Sequence, residues 1–107
     1  MLPKKNRAST KEVEKIFKEG RFIVSPSFTF KYIKNNENGV KVSFLAPKSV
    51  AKLAVTRNLL RRRGYTAFEK NIKLSIHDII GVFIFKKYQD DVSIISNEIK
   101  NILIKIN

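Results

Sequence analysis

The segment Ile79-Ile80-Gly81-Val82-Phe83-Ile84-Phe85 contains no polar side chain, and it constrains the fold more than any other stretch. A strand with one face in water alternates apolar and polar residues, whereas an unbroken apolar run belongs to the interior of a sheet covered on both faces. A bilayer span needs about 20 apolar residues, so this run cannot be one. The chain must therefore supply flanking strands and helical cover.

The cover is readable from local patterns. Ser9 and Glu12 match a capping box, and Val13, Ile16 and Phe17 follow at helical spacing up to Gly20, a natural left-handed C-cap, which predicts a helix over Thr10 to Glu19. From Phe22 onward β-branched and aromatic residues dominate, and Phe28, Phe30 and Tyr32 alternate with Thr29, Lys31 and Ile33, which predicts a strand with an irregularity at Pro26. Asn35, Asn36, Glu37, Asn38 and Gly39 form a turn, after which Val40 to Ala46 resumes strand composition, so an antiparallel hairpin is expected. After Pro47 the pattern becomes helical from about Ser49 or Val50 to about Arg63, with Gly64 a stop or an interruption before Tyr65 to Glu69. Asp90 or Asp91 opens a last helix on which Ile94, Ile95, Ile99, Ile102 and Leu103 share a face. The expected order is α-β-β-α-β-α, an α+β two-layer sandwich, in one domain over residues 1–107. Strands separated by the central helix in one sheet imply a β-α-β crossover, a connection that is right-handed in nearly all proteins.

Charge narrows the function. Lys and Arg number 22 against 9 Asp and Glu, a formal charge of +13. Such an imbalance works against a compact fold through self-repulsion, and a polyanionic partner explains why it is tolerated. With 43% hydrophobic residues the chain still buries a core, so it is not a disordered basic arm. Cysteine is absent and there is one histidine, which excludes a disulfide framework and a thiolate or His-rich metal site. Met1 to Arg7 is polar and basic, so neither a secretory signal nor a membrane span is expected and the protein is placed in the cytoplasm.

The cations are not spread evenly. Thr10 to Glu19 mixes Lys11, Lys15 and Lys18 with Glu12, Glu14 and Glu19 and can neutralise itself, whereas Lys48, Lys52, Arg57, Arg61, Arg62 and Arg63 occupy a window without an acid. At about 100° per residue from Arg57, Arg61 falls near 40°, Tyr65 near 80°, Asn58 near 100° and Arg62 near 140°. Leu53, Leu59 and Leu60 lie on the opposite arc, between roughly 200° and 320°, and are expected to face the core. Arginine's planar fork suits phosphate contacts, and Asn58 adds an uncharged amide, so this arc reads as a nucleic-acid surface; an ordinary solvated helix face would carry both signs, and a membrane-surface helix would take apolar residues the small core needs.

Other features admit plainer readings. Phe28, Phe30 and Tyr32 could stack unpaired bases, but aromatics on one sheet face more often form core, and Phe17 shares that ambiguity. His77 beside Asp78 resembles half of an acid-base pair but is more often a loop feature. Glu37, Glu69 and Glu98 lie apart, without the clustering a two-metal nuclease requires.

The stretch Ala54-Val55-Thr56-Arg57-Asn58-Leu59-Leu60-Arg61-Arg62 resembles the signature helix of the protein subunit of bacterial ribonuclease P, with its A-V-x-R-N-x-x-K/R-R pattern approached through basic residues, here Lys48 and Lys52. Leu2-Pro3-Lys4-Lys5-Asn6-Arg7 and Ile16-Phe17-Lys18-Glu19-Gly20-Arg21 resemble the opening of that family. The resemblance implies a fold like a domain of ribosomal protein S5, with an uncommon left-handed β-α-β crossover. It implies a non-catalytic subunit of a ribonucleoprotein endoribonuclease, in which a catalytic RNA with bound Mg2+ removes the 5′ leader from precursor tRNA. The protein would hold the leader and support the RNA fold. Mapped onto this chain, Arg57, Asn58, Arg61 and Arg62 would face the catalytic RNA, joined on charge by Lys48, Lys52 and Arg63, while Val13, Phe17 and Lys31 would line the leader groove. A small basic ribosomal protein of the same fold class and a protein-only nuclease are the alternatives.

Overall fold

The computed structural model describes residues 6–35, 39–72 and 78–106. Leu2 to Lys5, the turn residues Asn36, Glu37 and Asn38, and His77 lie outside the described residues. The elements are α1 (Thr10–Glu19), β1 (Arg21–Val24), β2 (Phe28–Lys34), β3 (Lys41–Leu45), α2 (Ala54–Asn71), β4 (Ile79–Phe85) and α3 (Val92–Ile106).

The apolar run takes the interior position. Strand order is β1-β2-β4-β3, with β2 antiparallel and β3 parallel to β4. The expected hairpin between Phe28–Ile33 and Val40–Ala46 therefore does not form, because β4 lies between its two members. Had those strands paired with each other, β4 would have been left at an edge, with unpaired backbone beside a strand apolar on both faces. The segment from Phe22 also divides at Pro26: β1 folds back on β2 as an antiparallel pair, Phe22 opposite Lys31 and Val24 opposite Thr29. This turn is anchored from α3, where the buried Glu98 accepts hydrogen bonds from the Ser27 amide (2.7 Å) and the Ser25 hydroxyl (2.8 Å).

Opposite parities of the strands serve opposite faces. Phe28, Phe30, Phe44, Phe83 and Phe85 point toward α2 and α3 and meet Leu60, Ala67, Phe68, Ile95, Ile99 and Ile102 in the main core. The aromatic stripe is thus core: Phe28 and Phe30 are fully buried, and Tyr32 stacks on Phe30 at 5.6 Å and 13°. On the other face Ile80 and Val82 pack beneath Ile16 of α1, with Val13 and Ile33 at the margin. Ile94 is 43% exposed and leaves the predicted α3 stripe, its place taken by Glu98. Asp91 starts α3, accepting the Ser93 amide at 2.8 Å.

Helix boundaries differ from expectation in two places. The capping box of α1 forms, but Gly20 has φ −70 and ψ 148, extended and not left-handed, because the chain enters β1 directly. A Cβ there would stand 2.5 Å from the Ile16 carbonyl oxygen, which explains the glycine as a close approach. Helix α2 begins at Ala54 and not near Ser49, since Val50 and Ala51 turn back onto the Pro47 carbonyl. It also runs through Gly64 without a stop, because Gly64 is the point where the helix rests on the Phe44 ring. The charges of α1 do not pair among themselves; Glu12 reaches Lys41 of β3 at 3.3 Å. Burial disfavours the charged form of Glu12, but bonds from the Ser9 amide and hydroxyl and from Lys41 outweigh it and hold the carboxyl below its usual 4.5.

Candidate nucleic-acid interface

The start of α2 is built around two arginines that bind the backbone next to them. Leu53 provides no side-chain cap. Arg57 compensates from within the helix: its Nη1 donates to the carbonyls of Ala51 (3.1 Å) and Lys52 (2.7 Å), tying the turn that carries Lys52 to the first helical turn. Arg61 donates from Nε to the Phe44 carbonyl (3.2 Å), while the Phe44 amide donates to the Tyr65 hydroxyl (3.3 Å), so α2 takes both backbone groups of this β3 residue. Arg61 Nη1 also lies 3.5 Å from Asn58 Oδ1. These bonds fix the height of the basic arc over the sheet edge and reduce the side-chain entropy lost when it meets a ligand.

The predicted arc is on the outside. Asn58, Arg61, Arg62, Lys48 and Lys52 are exposed, and Arg57 is half-buried against its turn. Arg63, at about 240° from Arg57, belongs to another side of α2; its guanidinium meets the Tyr88 hydroxyl (3.2 Å) and the Gln89 carbonyl (3.4 Å) and covers the Tyr88 ring. The acid-free window therefore divides between two faces. The opposite arc is only partly core: Leu60 is fully buried, but Leu59 is 44% and Leu53 66% exposed. The helix seats itself through Leu60, Gly64, Ala67, Phe68 and Asn71, a narrower stripe than the leucines suggested.

A cleft of about 760 Å³ joins this arc to α1. Phe17 forms one wall, Arg57, Asn58 and Arg61 the other, and Leu45, Pro47 and Ile84 contribute apolar surface between them. Phe17 is 44% exposed, and the Lys31 ammonium stands over its ring at 5.1 Å. Phe22 and Val24, directly across the strand pair from Lys31 and Thr29, carry exposed apolar surface onward to the sheet edge. Val13 does not line the cleft; it packs against the Ile16, Ile80 and Val82 cluster. The apolar surface at Leu45 and Ile84 was not anticipated, although both fall on the strand parity opposite Phe44 and Phe83. Tyr65 was placed on the arc, but its bond to the Phe44 amide and the Arg7 guanidinium over its ring at 5.8 Å arise from long-range packing.

Chemically the cleft offers an aromatic face, an apolar surface and fixed cations, which suit bases and phosphates of an unpaired strand. Asp78 serves structure: its carboxylate accepts the Gly39 amide (2.7 Å) and its carbonyl the Asn35 amide (2.9 Å). Among the described residues no three of His, Cys, Asp and Glu gather as a metal site, and no helix is long and apolar enough to cross a membrane.

A family model described as Ribonuclease P matches residues 2–107. Among solved structures, the RNase P protein from Thermotoga maritima is similar with a TM-score of 0.83 and 21% identity, covering 94% of this chain and 97% of that one. A Staphylococcus aureus RNase P protein mutant with defective mRNA degradation activity gives 0.80 and 20%, covering 96% and 88%. The RNase P protein from Staphylococcus aureus gives 0.72 and 21%, covering 99% and 92%. No match was found among curated protein sequences.

Proposed function

The chain belongs to the ribonuclease P protein family, and from that premise we propose that it acts as the non-catalytic subunit, gripping the 5′ leader of precursor tRNA in the Phe17 cleft while the α2 arc holds the catalytic RNA. Membership makes it the protein component of ribonuclease P, a tRNA-processing ribonucleoprotein, and implies association with the ribonuclease P RNA. It favours this reading over a ribosomal protein of the same fold class.

The observation that carries the proposal is the single cleft with Phe17 on one wall and Arg57, Asn58 and Arg61 on the other. A leader base stacks on Phe17, its phosphates drawing the Lys31 ammonium with them. On the outer side of the same arginine wall, Lys48, Lys52, Arg57, Arg61 and Arg62 meet backbone phosphates of the catalytic RNA. The protein's contribution is thus positional and electrostatic: it holds the substrate in register and offsets phosphate repulsion as the leader approaches the ribozyme. Hydrolysis itself is assigned to the RNA, which brings the Mg2+ with it. The protein works as a single domain in the cytoplasm.

Reconstitution with a catalytic RNA and precursor tRNA tests this. Stacking on an aromatic side chain contributes about 1–3 kcal/mol per base, so Phe17→Ala is expected to weaken precursor binding roughly 5- to 150-fold and leave mature tRNA unchanged. Equal losses for both substrates would remove Phe17 from the leader site, and RNA cleavage by the purified chain alone would overturn the division of labour.

A further inference from the structure

Six of the eight phenylalanines are buried in the core, and the two that are not, Phe17 at 44% and Phe22 at 65% exposure, neighbour the same lysine. A single exposed apolar side chain is ordinary, but a small domain gains stability from each aromatic it buries, and two left in water on either side of one cation call for a ligand. Lys31 reaches over the Phe17 ring, and Phe22 is its register partner across the β1–β2 pair. Resting on the leader-binding reading above, we infer that Phe22 is a second base-stacking residue for the precursor leader, taking a base farther from the cleavage point than the one on Phe17, with Lys31 between them at the intervening phosphate.

Register fixes the face on which Phe22 lies. Lys31 pairs with Phe22 on one side and with Val82 on the other, and register partners point to the same side of a sheet. Val82 packs beneath Ile16 of α1, so Phe22 and Lys31 share the α1 face with Phe17. One step along the strands, Leu45, Ile84, Thr29 and Val24 form a row across β3, β4, β2 and β1 on that same face. None of the four is buried. Leu45 and Ile84 line the Phe17 cleft, and the row continues from there to Val24 at the β1 edge, three strand spacings or about 14 Å in all. The cleft therefore opens onto a track that crosses the sheet, with the arginine wall at one end and Phe22 and Val24 at the other.

The far end of the track is held in place. Strand β1 has four residues and a neighbour on one side only, an arrangement that frays unless it is fixed elsewhere. Here the Ser25 amide donates to the Phe28 carbonyl (2.8 Å), the Lys86 amide donates to the Ser27 carbonyl (2.8 Å), and Glu98 takes the Ser25 hydroxyl and Ser27 amide from the opposite side of the sheet. Phe22 is thus presented on an anchored strand, which lowers the ordering cost of binding. Two aromatic faces with an ammonium between them match the base, phosphate, base sequence of an unpaired nucleic-acid strand, and the chain's charge of +13 favours that occupant over a protein segment.

The test is precursor affinity of the enzyme reconstituted with a catalytic RNA, using leaders shortened one nucleotide at a time. Phe22→Ala is expected to weaken binding of a long leader roughly 5-fold, the lower end for stacking on an aromatic because Phe22 is the more exposed ring, with an unchanged log-log salt slope. Phe22→Tyr keeps the flat face and restores affinity, whereas Phe22→Leu keeps apolar bulk and does not; circular dichroism checks that each variant folds. As the leader shortens, the Phe22→Ala defect disappears while the Phe17→Ala defect persists. An abasic nucleotide at the position where the Phe22 effect first appears removes the cost of Phe22→Ala and leaves that of Phe17→Ala, a coupling that a merely structural role would not produce. Parental affinity of Phe22→Ala for long leaders, beside a clear Phe17→Ala defect, overturns this inference alone; no defect in either variant overturns the leader reading with it. A dimer of the free protein that Phe22→Ala abolishes, with leader affinity unchanged, assigns the exposed ring to a second copy of the chain and also overturns the inference.

Discussion

Gly64→Ala is the sharpest test of how α2 is held. In a free helix this substitution is favourable by about 1 kcal/mol, because glycine loses more backbone entropy on folding. Here the new Cβ would stand 2.7 Å from Phe44 Cε2 and 2.9 Å from Cγ, and closer still to Cδ2. Carbon atoms rest at about 3.5–4.0 Å, so helix and ring must separate by roughly 1 Å. The ring has little freedom to retreat: Phe44 is fully buried, stacked on Phe83 at 4.7 Å and 8°, and meets the Tyr65 edge at 4.9 Å. Overpacking of a tight core costs about 1–3 kcal/mol, occasionally more. With the propensity gain subtracted, the net destabilisation is about 2 kcal/mol at the upper end, or a Tm lower by about 8–16 °C for a domain of this size. Urea and thermal unfolding followed by circular dichroism at fixed salt measure it. Phe44→Leu in the Gly64→Ala background is expected to recover part of the loss, since the two sites share one contact. A Gly64→Ala protein as stable as the parent, with no coupling to Phe44, would refute the claim that this contact sets the distance between α2 and the sheet.

Two further outcomes follow from the interface and from α1. Five cations of the arc and its approach, Lys48, Lys52, Arg57, Arg61 and Arg62, predict a log-log salt slope of about −4.5 for the catalytic RNA and about −3.6 after Arg61→Ala, whereas Arg63→Ala, turned to Tyr88, leaves the slope unchanged; equal effects of both variants would contradict the division of the helix into two faces. Because the folded state holds the Glu12 carboxyl below 4.5, its contribution to stability is complete above that pH and disappears as pH falls through the folded value. The stability difference between parent and Glu12→Gln, about 1 kcal/mol for a half-buried surface pair, is therefore expected to shrink on acidification below about pH 4.5; a difference that grows there would reverse the assignment.

Local periodicity carried much of this protein. The Ser9–Glu12 capping box, the start of α3 at Asp91 and the position of Arg57, Asn58, Arg61 and Arg62 on one side of a helix depend on residues within one or two turns of one another, which the sequence displays directly. The unbroken apolar run likewise required an interior strand, and β4 is one. The charge excess and the one-sided arginine arc pointed to nucleic acid, and the resemblance of the arginine-asparagine helix narrowed that to RNA.

Other features depend on which distant segments meet. A turn-rich segment between two strand-like stretches looks the same whether its strands pair with each other or with a third inserted later, and only the burial of β4 on both faces and edges separates β2 from β3. Gly64 reads as a helix stop until Phe44 is placed beneath it, and Leu59 reads as core until α2 is rotated onto Leu60 and Phe68. The chain itself wrote its helices, its central strand and its affinity for polyanions, because those follow from neighbouring residues and summed charge. Strand order, the seat of α2 and the cleft between Phe17 and the arginine wall were decided by packing, because each is a distance between side chains that only the folded backbone brings together.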